Sequence, residues 1–321
     1  MIGIVLKTFV RRLWQLIPIL LIVATIIFVI TRMIPGDPAV TMLGPQASAE
    51  AVQNLREELG LDQNIFVQYA IYLKDVVQGD FGTSYAYNEP VTTLIWKRFP
   101  NTVLLSLFAL VLALLIGIPV GVVSATRQYS IFDYVSMVLA LVGVSMPIFW
   151  LGLMLVLVFS VNLGWLPSLG MGSLAKGLGD VFRHLLLPGL CIATIPMATF
   201  ARITRASMLE VVNQEYIKAL RARGIREYLV IWKHGLKNAL PPIITVIGLQ
   251  VSYLLAGAIL TETIFSWPGM GRLIYDAIEN RDYLLIQGTV LFVAFIYVMI
   301  NLFVDIVYII VNPKISYAKQ G

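Results

Sequence analysis

Charge is scarce in this chain. Only 13% of its 321 residues are Asp, Glu, Lys or Arg, and the mean hydropathy is +0.85. A soluble globular domain of that length cannot hide so much apolar surface in one core, which excludes that class. The chain has one cysteine, Cys191, and two histidines, His184 and His234. A disulfide framework and a cysteine-rich metal site are therefore excluded. Neither histidine has a Glu-x-x-His partner, so the zinc-protease arrangement is missing too. No Gly-x-x-x-x-Gly-Lys-Ser/Thr occurs, and the chain lacks the loop that cradles nucleotide phosphates. Gly269-Met270-Gly271 reads as a turn, not as a substitute for that loop. No low-complexity tract or linker divides residues 1–321, which read as one membrane domain.

Long uncharged runs are what the sequence has instead. They lie between residues 12 and 32, 98 and 127, 133 and 176, 184 and 202, 237 and 262, and 282 and 305. About 20 apolar residues at 1.5 Å each cross the hydrocarbon core of a bilayer. Six spanning helices are predicted, an all-α integral membrane protein with both termini on one side. The run from 184 to 202 is the shortest, and Met197 to Met208 extends that helix toward the interface. Basic residues in short loops set the orientation. With the termini inside, most of the 23 Lys/Arg fall on the inner side, including Lys7, Arg11, Arg12, Arg127, Arg202, Arg205, Lys314 and Lys319. Of the 18 acids, only Asp133, Glu210, Glu215 and Glu227 do. Both termini are therefore expected in the cytoplasm. Residues 13–30 follow basic residues as a secretory signal would, but they are long for a signal core. Thr31, Arg32 and Met33 offer no small-residue cleavage site, so an uncleaved anchor is expected.

Residues 35–100 form a small external subdomain between spans one and two. Ser48 is the expected N-cap of a helix over 49–59, with Val52, Leu55 and Leu59 on one face and Gly60 as its stop. A second helix is expected over 65–77 behind Asn64, with Tyr69, Leu73 and Val76 together and Gly79 after it. A lid or docking role suits such a subdomain. The third span, near 134–161, would be about 42 Å long if straight. It carries Pro147, so tilt or a kink is expected, as in a helix that lines a path. Pro188 and Pro196 interrupt the fourth span. After the fifth, Pro268-Gly269 predicts a turn and then a short surface helix.

One segment breaks the apolar pattern, "EYIKALRARGIREYLVIWKHGLKNALP" from Glu215 to Pro241. Ile217, Leu220 and Gly224 align on a helix, and Ile225, Tyr228, Leu229 and Trp232 align in a second stretch. Two short amphipathic helices with a break near Gly224 are predicted. The same charge bias also suits a helix pair lying on anionic lipid.

The segment resembles the "EAA" loop of ATP-binding-cassette importer permeases, in the form typical of the dipeptide/oligopeptide/nickel permease family. The matching residues are Glu215, Tyr216, Ala219, Leu220, Arg221, Ala222, Arg223, Gly224, His234, Leu236 and Asn238. Leu220 stands where that form has its first alanine, and Lys218 where the general motif has its glutamate. Lys237 replaces the usual proline. Further matches run in order along the chain: "MIPGDP" from Met33, "GDFGTSY" from Gly79, "GVSMPIFW" from Gly143, "AGAILTETIFSWPGMGRL" from Ala256, "RDY" from Arg281 and "VNPKI" from Val311.

The resemblance implies a type I ABC importer permease fold in a bacterial or archaeal cell (inner) membrane. It implies a second homologous permease subunit, two ABC ATPase subunits that bind the ATP and Mg, and an extracytoplasmic solute-binding protein. No cofactor is expected in this chain, no catalytic role, and no nucleic-acid partner. Residues 208–238 would be the coupling helices, with Glu215, Tyr216, Ala219, Arg221, Ala222, Gly224, His234, Leu236 and Asn238 meeting an ATPase. The solute would be a di- or oligopeptide, with nickel complexes or glutathione as alternatives. Arg272, Asp276, Glu279, Arg281 and Asp282 form a mixed-charge outer surface that solvation alone can explain, or that meets the binding protein. Ser145, Met146, Phe149 and Trp150, around the third-span proline, are path candidates; simple helix packing accounts for them equally well.

The sequence also suits a different class, an ion-gradient-driven secondary carrier with Asp305 as its titrating group. Asp305 is near the inner interface, and pairing with Arg202 or Arg205 is the favoured reading. Asn301, one turn earlier, is expected to be a helix contact. His184 and His234 fall on opposite sides, which excludes a shared metal site on this topology.

Overall fold

A computed structural model describes residues 2–33, 38–44, 46–58 and 60–311; the side chains of 2–13, 38, 41, 58, 256, 257, 305 and 307–311 lie outside that description. The chain is helical, with α1 (Ile2–Met33), α2 (Pro38–Leu43), α3 (Ala49–Glu58), α4 (Ile65–Gln78), α5 (Val91–Thr126), α6 (Ile131–Ser145) and α7 (Ile148–Leu155) in the first half. Then follow α8 (Leu178–Val212), α9 (Glu215–Ala222), α10 (Leu236–Ile264), α11 (Met270–Glu279) and α12 (Tyr283–Val311). A two-stranded antiparallel hairpin, β1 (Thr83–Ser84) with β2 (Glu89–Pro90), precedes α5. Among the described residues, five helices are long and apolar enough to span a membrane, and the pair Ile131–Ser145 and Ile148–Asn162 makes a sixth if it counts as one span.

That pair is bent by 108°. The expected kink is a break, and the cause is local. Met146 precedes Pro147 and is extended, at φ −74° and ψ 132°. The proline ring disfavours helical geometry at the preceding residue, and its own nitrogen donates no hydrogen bond. Beyond α7 the winding widens into a π-helix, Val156–Asn162.

Two compact units divide the chain: Val10–Asn101 with Pro268–Val298, and Met1–Phe9, Thr102–Trp267 and Met299–Gly321. The first has its own core, in which Ala24, Ile27, Val91, Ile95, Leu273, Ala277 and Leu285 are buried. Phe28 stacks on Tyr72, and Trp96, Phe99 and Phe292 meet edge to face. Both external helices form as the sequence predicts. Asn64 caps α4 by accepting from the Phe66 N–H, and Gly79 closes it in the left-handed conformation at φ 76°. Ser48 accepts from the Ala51 N–H at 3.2 Å at the head of α3. The end of the predicted 49–59 helix, Leu59, lies outside the described residues, as does most of "MIPGDP". The β hairpin and α2 have no counterpart in the sequence reading, because segments of two to six residues carry too little periodicity.

In the second unit α5, α6, α8 and α10 pack together. Small residues set the spacing. A Cβ on Gly117 would stand 2.6 Å from the Met197 carbonyl, and one on Gly121 would stand 2.6 Å from the Ala201 carbonyl. The Gly-x-x-x-Gly spacing thus lets the α5 and α8 backbones touch, the close approach that apolar helices use where burial drives nothing. Thr102 donates a 2.6 Å hydrogen bond to the fully buried Glu262. Asn301 pairs with Ser252 at 3.1 Å, the helix contact expected of it.

Candidate functional site

The charged segment folds back on itself between α8 and α10. Two residues, Asn213 and Gln214, join α8 to α9. Ile217 is completely buried among Val122, Met208, Val211, Val230 and Ile243, so the apolar face of α9 is welded to the ends of the spans. Glu215 stands in the first turn of α9, where the helix dipole favours an acid. Its 2.8 Å pair with Lys218 is exposed and adds little.

Gly224 makes the predicted break, at φ +74°. A Cβ placed there meets nothing within 4 Å, so backbone conformation alone demands glycine. Arg221 then reaches across the turn and grips Glu227 with both prongs, at 3.1 and 2.7 Å. That hydrogen bonding holds the Glu227 carboxyl below its usual range and raises the Arg221 guanidinium above its own. Asn238 closes the loop by donating to the Tyr216 hydroxyl at 2.7 Å and to the His234 carbonyl at 3.1 Å. Three of the motif residues, Tyr216, His234 and Asn238, are thereby brought to one place.

The second stretch departs from the expected α-helix. Leu229–Gly235 is wound as a π-helix that runs straight into α10. The face that packs is also the opposite of the predicted one. Val230 and Ile231 are the buried pair, while Tyr228 is 70% and Leu229 40% exposed. Trp232 stays half-buried and lies 6.3 Å from the Tyr228 ring. Ala219, Arg221, Ala222 and Gly224 are exposed, and His234 and Leu236 are half-buried. Gly235 comes close to Met208, 3.3 Å from where its Cβ would stand. The result is a stiff helical turn-back with apolar and basic groups on its outside.

The other candidate residues lie apart from this segment in sequence. Ser145, Phe149 and Trp150 are exposed and Met146 is half-buried, all four at the α6–α7 break. Arg272 pairs with Asp276 at 2.9 Å on α11, and Tyr87 donates to the same carboxylate at 3.3 Å. Arg281 is exposed in a left-handed conformation at φ 54°. Asp282 corrects the sequence reading. It has no exposed surface; Ser84 donates to it at 2.6 Å, the Ala86 N–H at 3.3 Å and the Leu285 N–H at 3.1 Å. It caps α12 from inside and does not contribute to an outer charged surface.

His184 touches the Asp180 carbonyl at 2.8 Å, and no group of three metal-binding side chains occurs among the described residues. The side chain of Asp305 lies outside the described residues. Of its expected partners, Arg202 and Arg205, the latter is held by Asp133 through two bonds of 2.6 and 2.7 Å. In the sequence Asp133 is an inner-side acid and nothing more. Its one local signal was a buried-face carboxylate opening an apolar helix.

Comparison with known proteins bears on this arrangement. Residues 117–317 match the family described as binding-protein-dependent transport system inner membrane component, and residues 5–106 match its N-terminal companion. A dipeptide transport system permease protein, DppB, of Alkalihalophilus pseudofirmus is 49% identical over 327 residues, covering 96% of this chain and 98% of that protein. Glutathione transport system permease proteins named GsiC are similar as well. That of Salmonella choleraesuis is 42% identical and that of Escherichia coli strain K12 41% identical, each covering 96% of this chain and 98% of the relative. An inward-facing structure of the MetNI methionine ABC transporter shares the fold, with a TM-score of 0.53 at 17% identity over 69% of this chain and 97% of that one. A multi-span helical chain whose charged turn-back is fixed to two spans, and which matches this family over both its parts, belongs to the inner membrane components of binding-protein-dependent transport systems.

Proposed function

We propose that this chain is one of two transmembrane subunits of an ATP-driven importer of dipeptides or related small solutes. It does not hydrolyse ATP; two partner ATPases carry ATP and Mg, and a second, homologous permease completes the path. The observation that carries this reading is the turn-back at Gly224, rigidly joined to α8 and α10, with Tyr228 and Leu229 exposed on its outside. An apolar pair in a basic setting suits a protein groove on an ATPase. Residues 208–238 are then the coupling element, with Glu215, Tyr216, Ala219, Arg221, Ala222, Gly224, His234, Leu236 and Asn238 forming or bracing it.

The remaining assignments extend the same reading. The termini face the cytoplasm of a bacterial or archaeal cell, by the placement of basic residues. Ser145, Met146, Phe149 and Trp150, at a break in the third span, line the path. Arg272, Asp276 and Arg281, with residues 35–100, receive the solute-binding protein. A dipeptide is favoured as solute by the 49% identity to a dipeptide permease, and glutathione is second by the relatives at 41–42%. ATP-driven closure of the ATPases would shift α9, and the spans would alternate between two arrangements that contact the solute differently.

Two measurements test this. Cross-linking from Ala222 or Arg223 in intact cells should capture an ATPase subunit; capture of lipid alone would overturn the reading. ATP hydrolysis by the purified complex should rise with binding protein loaded with labelled dipeptide more than with glutathione. The reverse order would reassign the solute.

A further inference from the structure

One two-pronged polar contact inside the second unit involves no residue of the coupling element. Asp133, 2% exposed near the start of α6, accepts from Arg205 Nε at 2.6 Å and Nη2 at 2.7 Å. The Tyr129 N–H adds a third bond at 3.1 Å, and Ser130 caps the Asp133 N–H at 3.2 Å. Tyr129 is held at φ +63°, an unusual conformation for a tyrosine. The whole α5–α6 turn is thus drawn onto α8 through one carboxylate. A two-pronged guanidinium–carboxylate contact is strong and selective in geometry. Only Asp133 is buried, Arg205 being 24% exposed; an ion pair removed from water argues weakly for stability, and its best-attested use is to fix one arrangement against others.

Its place on α8 gives that arrangement a direction. Arg205 stands about two turns before the end of α8 at Val212. Arg205 is thus three residues short of the coupling element at Met208, and α9 follows α8 after Asn213 and Gln214. Along α8 away from that end, two further contacts follow the same neighbouring span. A Cβ on Gly143 of α6 would stand 3.0 Å from Thr194, and Cys191 donates to the Ile148 carbonyl of α7 at 3.4 Å. Asp133, Gly143 and Ile148 lie in order along the broken span, and Ile148 is the residue after Pro147.

We propose that Asp133 and Arg205 are positioning residues that yoke the broken third span to α8, so that a displacement of the coupling element reaches the Pro147 break. The proposal rests on the reading that partner ATPases move that element. Spatial continuity alone does not establish coupling; a change in coupling on breaking the tie does.

The test uses the whole complex, with both permeases, ATPases and binding protein, reconstituted in liposomes. Uptake of labelled dipeptide and ATP hydrolysis are read together. Asp133→Asn keeps the shape and removes the charge, and Arg205→Lys keeps the charge and removes the fork. In Asp133→Asn, dipeptide moved per ATP should fall about tenfold while the complex still assembles, with a smaller fall in Arg205→Lys. Asp133→Glu, which restores a carboxylate, should recover most of the ratio. Equal proportional loss of uptake and hydrolysis, or an unchanged ratio in Asp133→Asn, would overturn the yoke. If Asp133→Asn does not assemble, Arg205→Lys decides: an unchanged ratio there overturns it. Absence of ATP-driven uptake in the unmodified complex would instead strike the function reading, and this proposal with it.

Discussion

The Asn238 amide donates to the Tyr216 hydroxyl across 22 residues of chain, at 2.7 Å. One residue opens the charged turn-back and the other belongs to the span that leaves it. The bond pins the far side of the loop while Ile217 pins the near side. Removing the hydroxyl tests that division. Tyr216→Phe should lower thermal stability by about 1 kcal/mol, the usual net worth of such a bond, and reduce uptake more than hydrolysis. A differential scan and a paired uptake and ATPase assay would show it; unchanged values in both would mean that the bond is idle.

Gly224 predicts an order of tolerance. No neighbour opposes a side chain there, so the cost of replacement is conformational. Asn visits the left-handed region most readily, Ala less and β-branched Val least. Uptake should fall from Gly224→Asn to Gly224→Ala to Gly224→Val, with a cost of about 1–2 kcal/mol for Ala. Membrane insertion should be retained throughout. Equal activity in all three variants would remove the strain argument.

The Arg221–Glu227 contact gives a pH expectation with a definite sign. Glu227 titrates below the ordinary 4.5 in the folded chain because Arg221 hydrogen-bonds its charged form. A depressed carboxyl contributes stability that is fully present above the unfolded value and is lost as pH falls through the folded one. The turn should therefore be insensitive to pH from 8 down to about 5 and loosen below that range. Carboxyl NMR shifts of Glu-labelled protein should place the Glu227 midpoint under 4.5. Glu227→Gln should loosen the turn at neutral pH.

Asp282 predicts a stability defect far from the charged turn-back. Its carboxylate is fully buried and leans on the Ser84 hydroxyl, 198 residues away in sequence. Ser84→Ala should cost about 1.5–3 kcal/mol, the range for a hydrogen bond to a charged group. Thermal melting of the purified chain would register it. A loss near zero would show that another donor replaces the hydroxyl.

Much of this was legible in the sequence, and the rest was hidden for identifiable reasons. The spans follow from uncharged runs, α4 from Asn64 and Gly79, α11 from Pro268-Gly269, and the turn-back from Gly224. Each signal is local and lies within a few residues of its effect. The 108° break exceeds the expected kink, because Pro147 announces a fault without its angle. In Leu229–Gly235 the buried residues are Val230 and Ile231, opposite the stripe of Tyr228 and Leu229, and periodicity does not say which of two apolar faces the neighbouring helices cover. Asp133 with Arg205, and Asp282 with Ser84, were invisible because their partners are 72 and 198 residues distant. A carboxylate among charged neighbours reads as surface until its partner is known.

Asn213 and Gln214 are all that separates α8 from α9. So short a link fixes rotational phase as well as distance. Inserting one residue there would turn α9 by about 100° about its axis, swinging Tyr216 toward the seat that Ile217 fills. The turn-back would then lose its foothold while keeping every residue of its motif, so a matching motif with altered spacing at this link would be a mechanically dead copy.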